Sequence, residues 1–149
     1  MDKITIKEYL SLYLDKSYNN ITNMANFVAI IKEMIDGLNW VGFYLLDNNK
    51  LILGPFQGKA AVQIIPIGEG ACGISAKNKE VLVIKDVNDF KDHIACDDSS
   101  NSEVVIPVIK NNKLIGVLDI DSPRLNRFDE NLVKELKSAL NYYLTFHNL

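Results

Sequence analysis

The run WVGFYLLDNNKLILGPF at residues 40–56 decides the fold class. Two apolar segments, Trp40 to Leu46 and Leu51 to Phe56, flank the polar DNNK, the pattern of a hairpin with a short loop. A second hairpin follows from Glu103 to Ile109, through NNK, to Lys113–Asp121. Between the two, residues 62–67 and 80–87 read as further strands, and Asn88 to Asn101 as a long polar loop. Gly68, Gly70 and Gly73 punctuate the entry into a short helix of about 71–78. Outside this core the period changes to helical. Residues 3–14 carry Ile6, Leu10, Tyr13 and Leu14 at spacings of three and four. A helix from about Thr22 to Gly37 presents Ile30, Ile31, Met34 and Leu38. The last, from about Asp129 to Phe146, lines up Leu132, Leu136, Ala139, Leu140 and Tyr143. The order predicts an α+β domain, an antiparallel sheet of about five or six strands with the terminal helices packed on one face. A loop as long as 88–101 inside a small domain usually carries function.

Composition narrows the function classes. The chain has 149 residues, which fits one compact domain. Hydrophobic residues at 48% and charged residues at 23% exclude a disordered chain, a collagen-like repeat and a disulfide-dense miniprotein. Sixteen Lys and Arg against nineteen Asp and Glu, without a basic run, make nucleic acid an unexpected partner. The start, MDKITIKEYL, lacks the pattern of a secretory signal, and no apolar run approaches the ~18 residues of a spanning helix. A cytoplasmic location with no membrane partner is expected. There, two cysteines read as core thiols or redox groups rather than a permanent disulfide.

Cys96 sits in the polar run HIACDDSSNSE, where a thiol is expected to be partly accessible; the plain alternative is a half-buried, inert thiol. Cys72 follows Gly70 at the expected helix start, where backbone N–H groups lower a thiol pKa, or it is simply a small residue packing that start. A zinc site from His93, Cys96 and Cys72 lacks any Cys-x-x-Cys pair, so no metal is expected. In LDIDSP, Asp119 and Asp121 point to one face of a strand while Leu118 and Ile120 face the core. Either the aspartates face solvent, or they lie near Glu103 on the partner strand, where clustered carboxylates raise one another's pKa. Trp40, Gly42 and Tyr44 share a face of the first strand. This is either a glycine floor between two aromatic walls or ordinary sheet packing.

Taken together, WVGFYL (40–45), LGPFQGK (53–59), GEGACG (68–73), HIACDDSSNSE (93–103) and GVLDIDSP (116–123) resemble the free methionine-(R)-sulfoxide reductases, which are single GAF-domain enzymes. The resemblance implies one GAF domain over residues 1–149 that reduces free methionine-(R)-sulfoxide without a cofactor. It implies Cys96 as nucleophile, Cys72 as the resolving thiol and Glu103 as the protonated acid on the sulfoxide oxygen. Asp119 and Asp121 would hold the substrate ammonium, and Trp40 and Tyr44 would enclose the methyl-sulfoxide end. Thioredoxin or a similar dithiol would recycle the disulfide, and the terminal helices would form a homodimer. The sequence departs from the family's Gly-Lys-Pro-Ala-Cys at Gly58-Lys59-Ala60-Ala61-Val62, so a third cysteine is absent. The usual Pro-Gly before His93 is Lys91-Asp92 here. The rival reading is a GAF module that senses a small ligand without catalysis. NRFDE (126–130) bears a faint likeness to a signature of cyclic-nucleotide-binding GAF domains.

Overall fold

The computed structural model describes residues 3–90 and 98–149. Three of its helices begin where short polar side chains accept a first-turn N–H. Thr5 caps α1 (Ile6–Tyr13), Asn19 caps α2 (Asn20–Met34) and Asp129 caps α4 (Glu130–Leu144). Among the described residues, six strands form one antiparallel sheet. They are β1 (Trp40–Asp47), β2 (Lys50–Gln57), β3 (Ile64–Pro66), β4 (Leu82–Ile84), β5 (Ser102–Lys110) and β6 (Lys113–Ser122), in the order β3-β2-β1-β6-β5-β4. The β5–β6 turn places Asn111 and Asn112 at φ 53° and 62°, the left-handed pair that a two-residue hairpin loop needs and that Asn tolerates.

Strand alternation gives the sheet two unlike faces. On one, Val41, Phe43, Val104, Ile106, Leu118 and Ile120 meet the apolar sides of α1, α2 and α4. The rings of Phe27, Phe43 and Tyr143 form its centre, with centroids 5.4–5.6 Å apart. The terminal helices therefore share one face, as the periodicity predicts. On the other face, Trp40, Tyr44, Val105 and Val117 pack with Ala71, Cys72 and Ala76 of α3 (Gly70–Asn78). This second cluster is smaller and carries the polar groups described below.

Two strands are shorter than their apolar runs predict. The 80–87 segment pairs only over Leu82–Ile84, because the Lys85 carbonyl accepts from Asn126 N at 2.8 Å. The Asp86 carboxylate then accepts from Asn88 N and opens a 3-10 turn at Val87–Asp89. The 62–67 segment is strand over Ile64–Pro66, with Leu53 N–H still donating to the Gln63 carbonyl at 3.0 Å; the Val62 carbonyl beyond is taken by the Tyr44 hydroxyl. Among the described residues no helix is long and apolar enough to cross a membrane.

Because Phe27 is wholly buried and packs against both Phe43 and Tyr143, Phe27→Ala should cost about 3–5 kcal/mol. Urea denaturation at a fixed pH measures this directly. A loss below about 1 kcal/mol would mean that the aromatic trio is not the centre of that core.

Candidate active site

The β5–β6–β1 register gathers the acidic groups. Glu103 on β5 lies directly across from Asp121 on β6, and Trp40 on β1 flanks Asp121 from the other side. Asp119 stands one pleat further along the same face, with Gly42 as its β1 partner. Of the two arrangements open to the aspartates, the structure shows the buried one: Glu103, Asp119 and Asp121 are 4%, 1% and 3% exposed. Three ionised carboxylates in so dry a place would be costly. Glu103 resolves this by taking a proton. Burial, then the charge of Asp121, pushes its pKa up to about 8, and its carboxyl hydrogen-bonds to both aspartates. At neutral pH it is an acid with a proton to give.

The thiol of Cys72 completes the group. Its Sγ and carboxylate oxygens of Glu103 and Asp119 all lie within 4.8 Å of one another. Cys72 occupies the first turn of α3, whose N-cap residue, Glu69, makes no side-chain cap hydrogen bond. Cys72 thus sits at the positive end of that helix's dipole. Gly68 N–H donates to Gly73 O at 2.8 Å, which folds the glycine-rich turn tightly against that helix start. Among the described residues these three donors also have the spacing of a cation site.

Trp40 and Tyr44 do lie on this face, but not as two walls over a glycine floor. The indole of Trp40 lies across Gly42, where any Cβ would collide with it and with Phe56. Glycine is there to let the ring lie flat on the sheet. The indole stacks on Tyr44 and Phe56, with centroids 6.0 and 5.3 Å away, and both Trp40 and Tyr44 are wholly buried. Phe56 was not singled out by the sequence, since an aromatic at a strand end carries no signal of its own.

Cys96 and His93 fall within 91–97, outside the described residues. The polar segment that follows is anchored close to the carboxylates. Asn39 Nδ2 donates to Ser100 Oγ at 2.9 Å, and Asn101 N donates to Ser122 O at 2.7 Å. Asn39, beside Trp40, is a second contributor that sequence reasoning missed; a lone Asn before a strand reads as a turn residue.

A family model described as GAF domain matches residues 24–143. The free methionine-R-sulfoxide reductase of Escherichia coli is 46% identical over 127 residues, 83% of this chain and 77% of that protein. The reduced form of fRMsr from Staphylococcus aureus superposes with a TM-score of 0.91 at 40% identity, covering 99% of this chain and 100% of that one. The free methionine-R-sulfoxide reductase of Neisseria meningitidis, solved in complex with its substrate, has a TM-score of 0.84 at 38% identity. It covers 95% of this chain and 83% of that one.

The raised pKa of Glu103 has a stability consequence with a definite sign. Between its ordinary value of 4.5 and about 8, the unfolded chain ionises this group while the folded protein keeps it protonated. Its contribution is therefore whole below pH ~4.5 and is lost as pH rises toward 8, by up to a few kcal/mol. Glu103→Gln keeps a donor and removes the titration. The variant should gain on the wild type in urea midpoint steadily from pH 5 to pH 8. Parallel midpoints across that range would show that Glu103 is ionised in the folded state.

Proposed function

The chain belongs to the GAF-domain family and, within it, to the free methionine-R-sulfoxide reductases, and from that premise we propose that it reduces free L-methionine-(R)-sulfoxide to methionine with its own thiols. One observation carries this reading: a buried thiol lies beside a carboxyl group that is protonated at neutral pH. Reducing a sulfoxide with thiols needs a proton for its oxygen and, close by, a second thiol to resolve the one that has been oxidised.

Cys96 is the proposed nucleophile. Its thiolate attacks the sulfoxide sulfur while Glu103 protonates the oxygen. The oxygen ends on Cys96 as a sulfenic acid and methionine departs two electrons richer. The Cys72 thiol then attacks the sulfenic sulfur, expelling water and leaving a Cys72–Cys96 disulfide. Thioredoxin or a similar dithiol returns two electrons and two protons. Asp119 and Asp121 hold the substrate ammonium, a group that methionine within a polypeptide lacks. Trp40 and Tyr44 lie against the methyl-sulfoxide end. Two thiols suffice in this scheme, with Val62 in the place of the family's third cysteine. One GAF domain spanning 1–149, paired through its terminal helices, is the proposed unit, and its place of work is the cytoplasm.

The experiment is a methionine assay with the R and S epimers of free methionine sulfoxide and dithiothreitol. Wild type should release methionine from the R epimer only, with a rate that falls as pH rises through about 8. Cys96→Ser should release none. Cys72→Ser should yield about one methionine per chain and then stall with thioredoxin as reductant, while Glu103→Gln should lose a hundredfold or more. A single turnover kept by Cys96→Ser and lost by Cys72→Ser would exchange the two roles. Absence of methionine from both epimers would sink the reductase reading and leave a ligand-binding module.

A further inference from the structure

The connection between β2 and β3, residues 58–63, is tied down by two buried aromatic side chains acting through their polar tips. Trp40 Nε1–H donates to the Lys59 carbonyl at 2.9 Å, and the Tyr44 hydroxyl donates to the Val62 carbonyl at 2.8 Å. Both rings rise from β1 on the face that holds Asp119 and Asp121. Gly58 lies against the indole, and Ala61 and Val62 pack on the same apolar cluster as Cys72. The connection thus roofs the sheet face that holds the site, at a height fixed by hydrogen bonds to the polar tips of two rigid side chains.

We propose that Tyr44 is a positioning residue. Acting through Val62, it fixes the height of the 58–62 roof and so limits the group carried on the substrate sulfur to a methyl. The inference rests on the reading of the substrate given above and assigns its size selection to a backbone hydrogen bond rather than to a wall. A roof held this way does not yield easily, because rising would leave a buried hydroxyl and a carbonyl without each other. One extra methylene in a fitted apolar pocket ordinarily costs an enzyme roughly tenfold or more in kcat/KM. That discrimination requires a surface that cannot retreat.

Tyr44→Phe separates the bond from the wall, since the ring and its stacking on Trp40 remain. Two measurements are made on the full chain, wild type and variant. Hydrogen exchange without substrate reads the anchoring, and kcat/KM for the free (R)-sulfoxides of methionine and ethionine reads the selection. In Tyr44→Phe, amides of residues 58–63 should exchange roughly fivefold faster while those of α2 are unchanged. The ethionine-to-methionine ratio of kcat/KM should rise by a similar factor. Trp40→Phe, which deletes the Lys59 donor, should loosen the same segment. Unchanged exchange at 58–63 in Tyr44→Phe overturns the anchoring. Faster exchange with an unchanged substrate ratio overturns the size selection, and so does an equal loss on both substrates. A wild type that reduces neither sulfoxide defeats the functional reading and size selection with it, while exchange still decides whether Tyr44 holds the roof.

Discussion

Three carboxylates on one dry patch of sheet cannot all carry charge, and much of this molecule is arranged around that constraint. Glu103, Asp119 and Asp121 come from adjacent strands whose register places two of them directly opposite each other. Like charges across a strand pair are ordinarily unfavourable, and burial makes them more so. The protonation of Glu103 and its hydrogen bonds to both aspartates turn that repulsion into a bonded cluster. The cluster remains poorer in stabilising contacts than an apolar patch of equal size would be. The stability of the fold must therefore come from elsewhere.

It comes from the opposite face. The larger core, with α1, α2 and α4 packed over Phe43, Leu118 and Ile120, holds β1 and β6 from behind. Those two strands carry Trp40, Tyr44, Asp119 and Asp121 forward. Each strand thus alternates a stabilising residue with one that serves the site. The division lets the front face keep a proton, a thiol and a helix start whose N-cap residue makes no side-chain cap hydrogen bond. Catalytic groups tuned by neighbours in this way are usually locally unfavourable, and they persist because the surroundings hold them.

The sequence was most legible where the period was regular. The two hairpins, the helices α1, α2 and α4 and the inward alternation of Leu118 and Ile120 follow from spacing alone, and the sheet and layering came out as expected. Strand ends were less legible. At Lys85 and Val62, the bonds that ended pairing go to Asn126 and Tyr44, partners distant in sequence. The acidic cluster was half legible. Period two placed both aspartates on one face, but only the register shows Glu103 across from Asp121 and close to Cys72. Gly42 was read with the right neighbours and two geometries open, and the packing alternative is the one found, because spacing alone cannot say that an indole folds back over the glycine two residues on.

The same bond geometry bears on Val62, where the sequence departs from the pattern it resembles. Residue 62 is held by its carbonyl oxygen, a group that every amino acid supplies. A change of side chain there leaves the Tyr44 hydroxyl with the same acceptor at the same place. Residue 59 is gripped in the same manner by the indole N–H, again through the backbone. At positions 59 and 62 the side chain is therefore released from the task of holding the connection, and a valine at 62 leaves the bond to Tyr44 in place. The anchors on β1 are constrained in identity, whereas the segment they hold is constrained in its path and, at Gly58, by a positive φ and a contact with the indole that leave no room for a side chain.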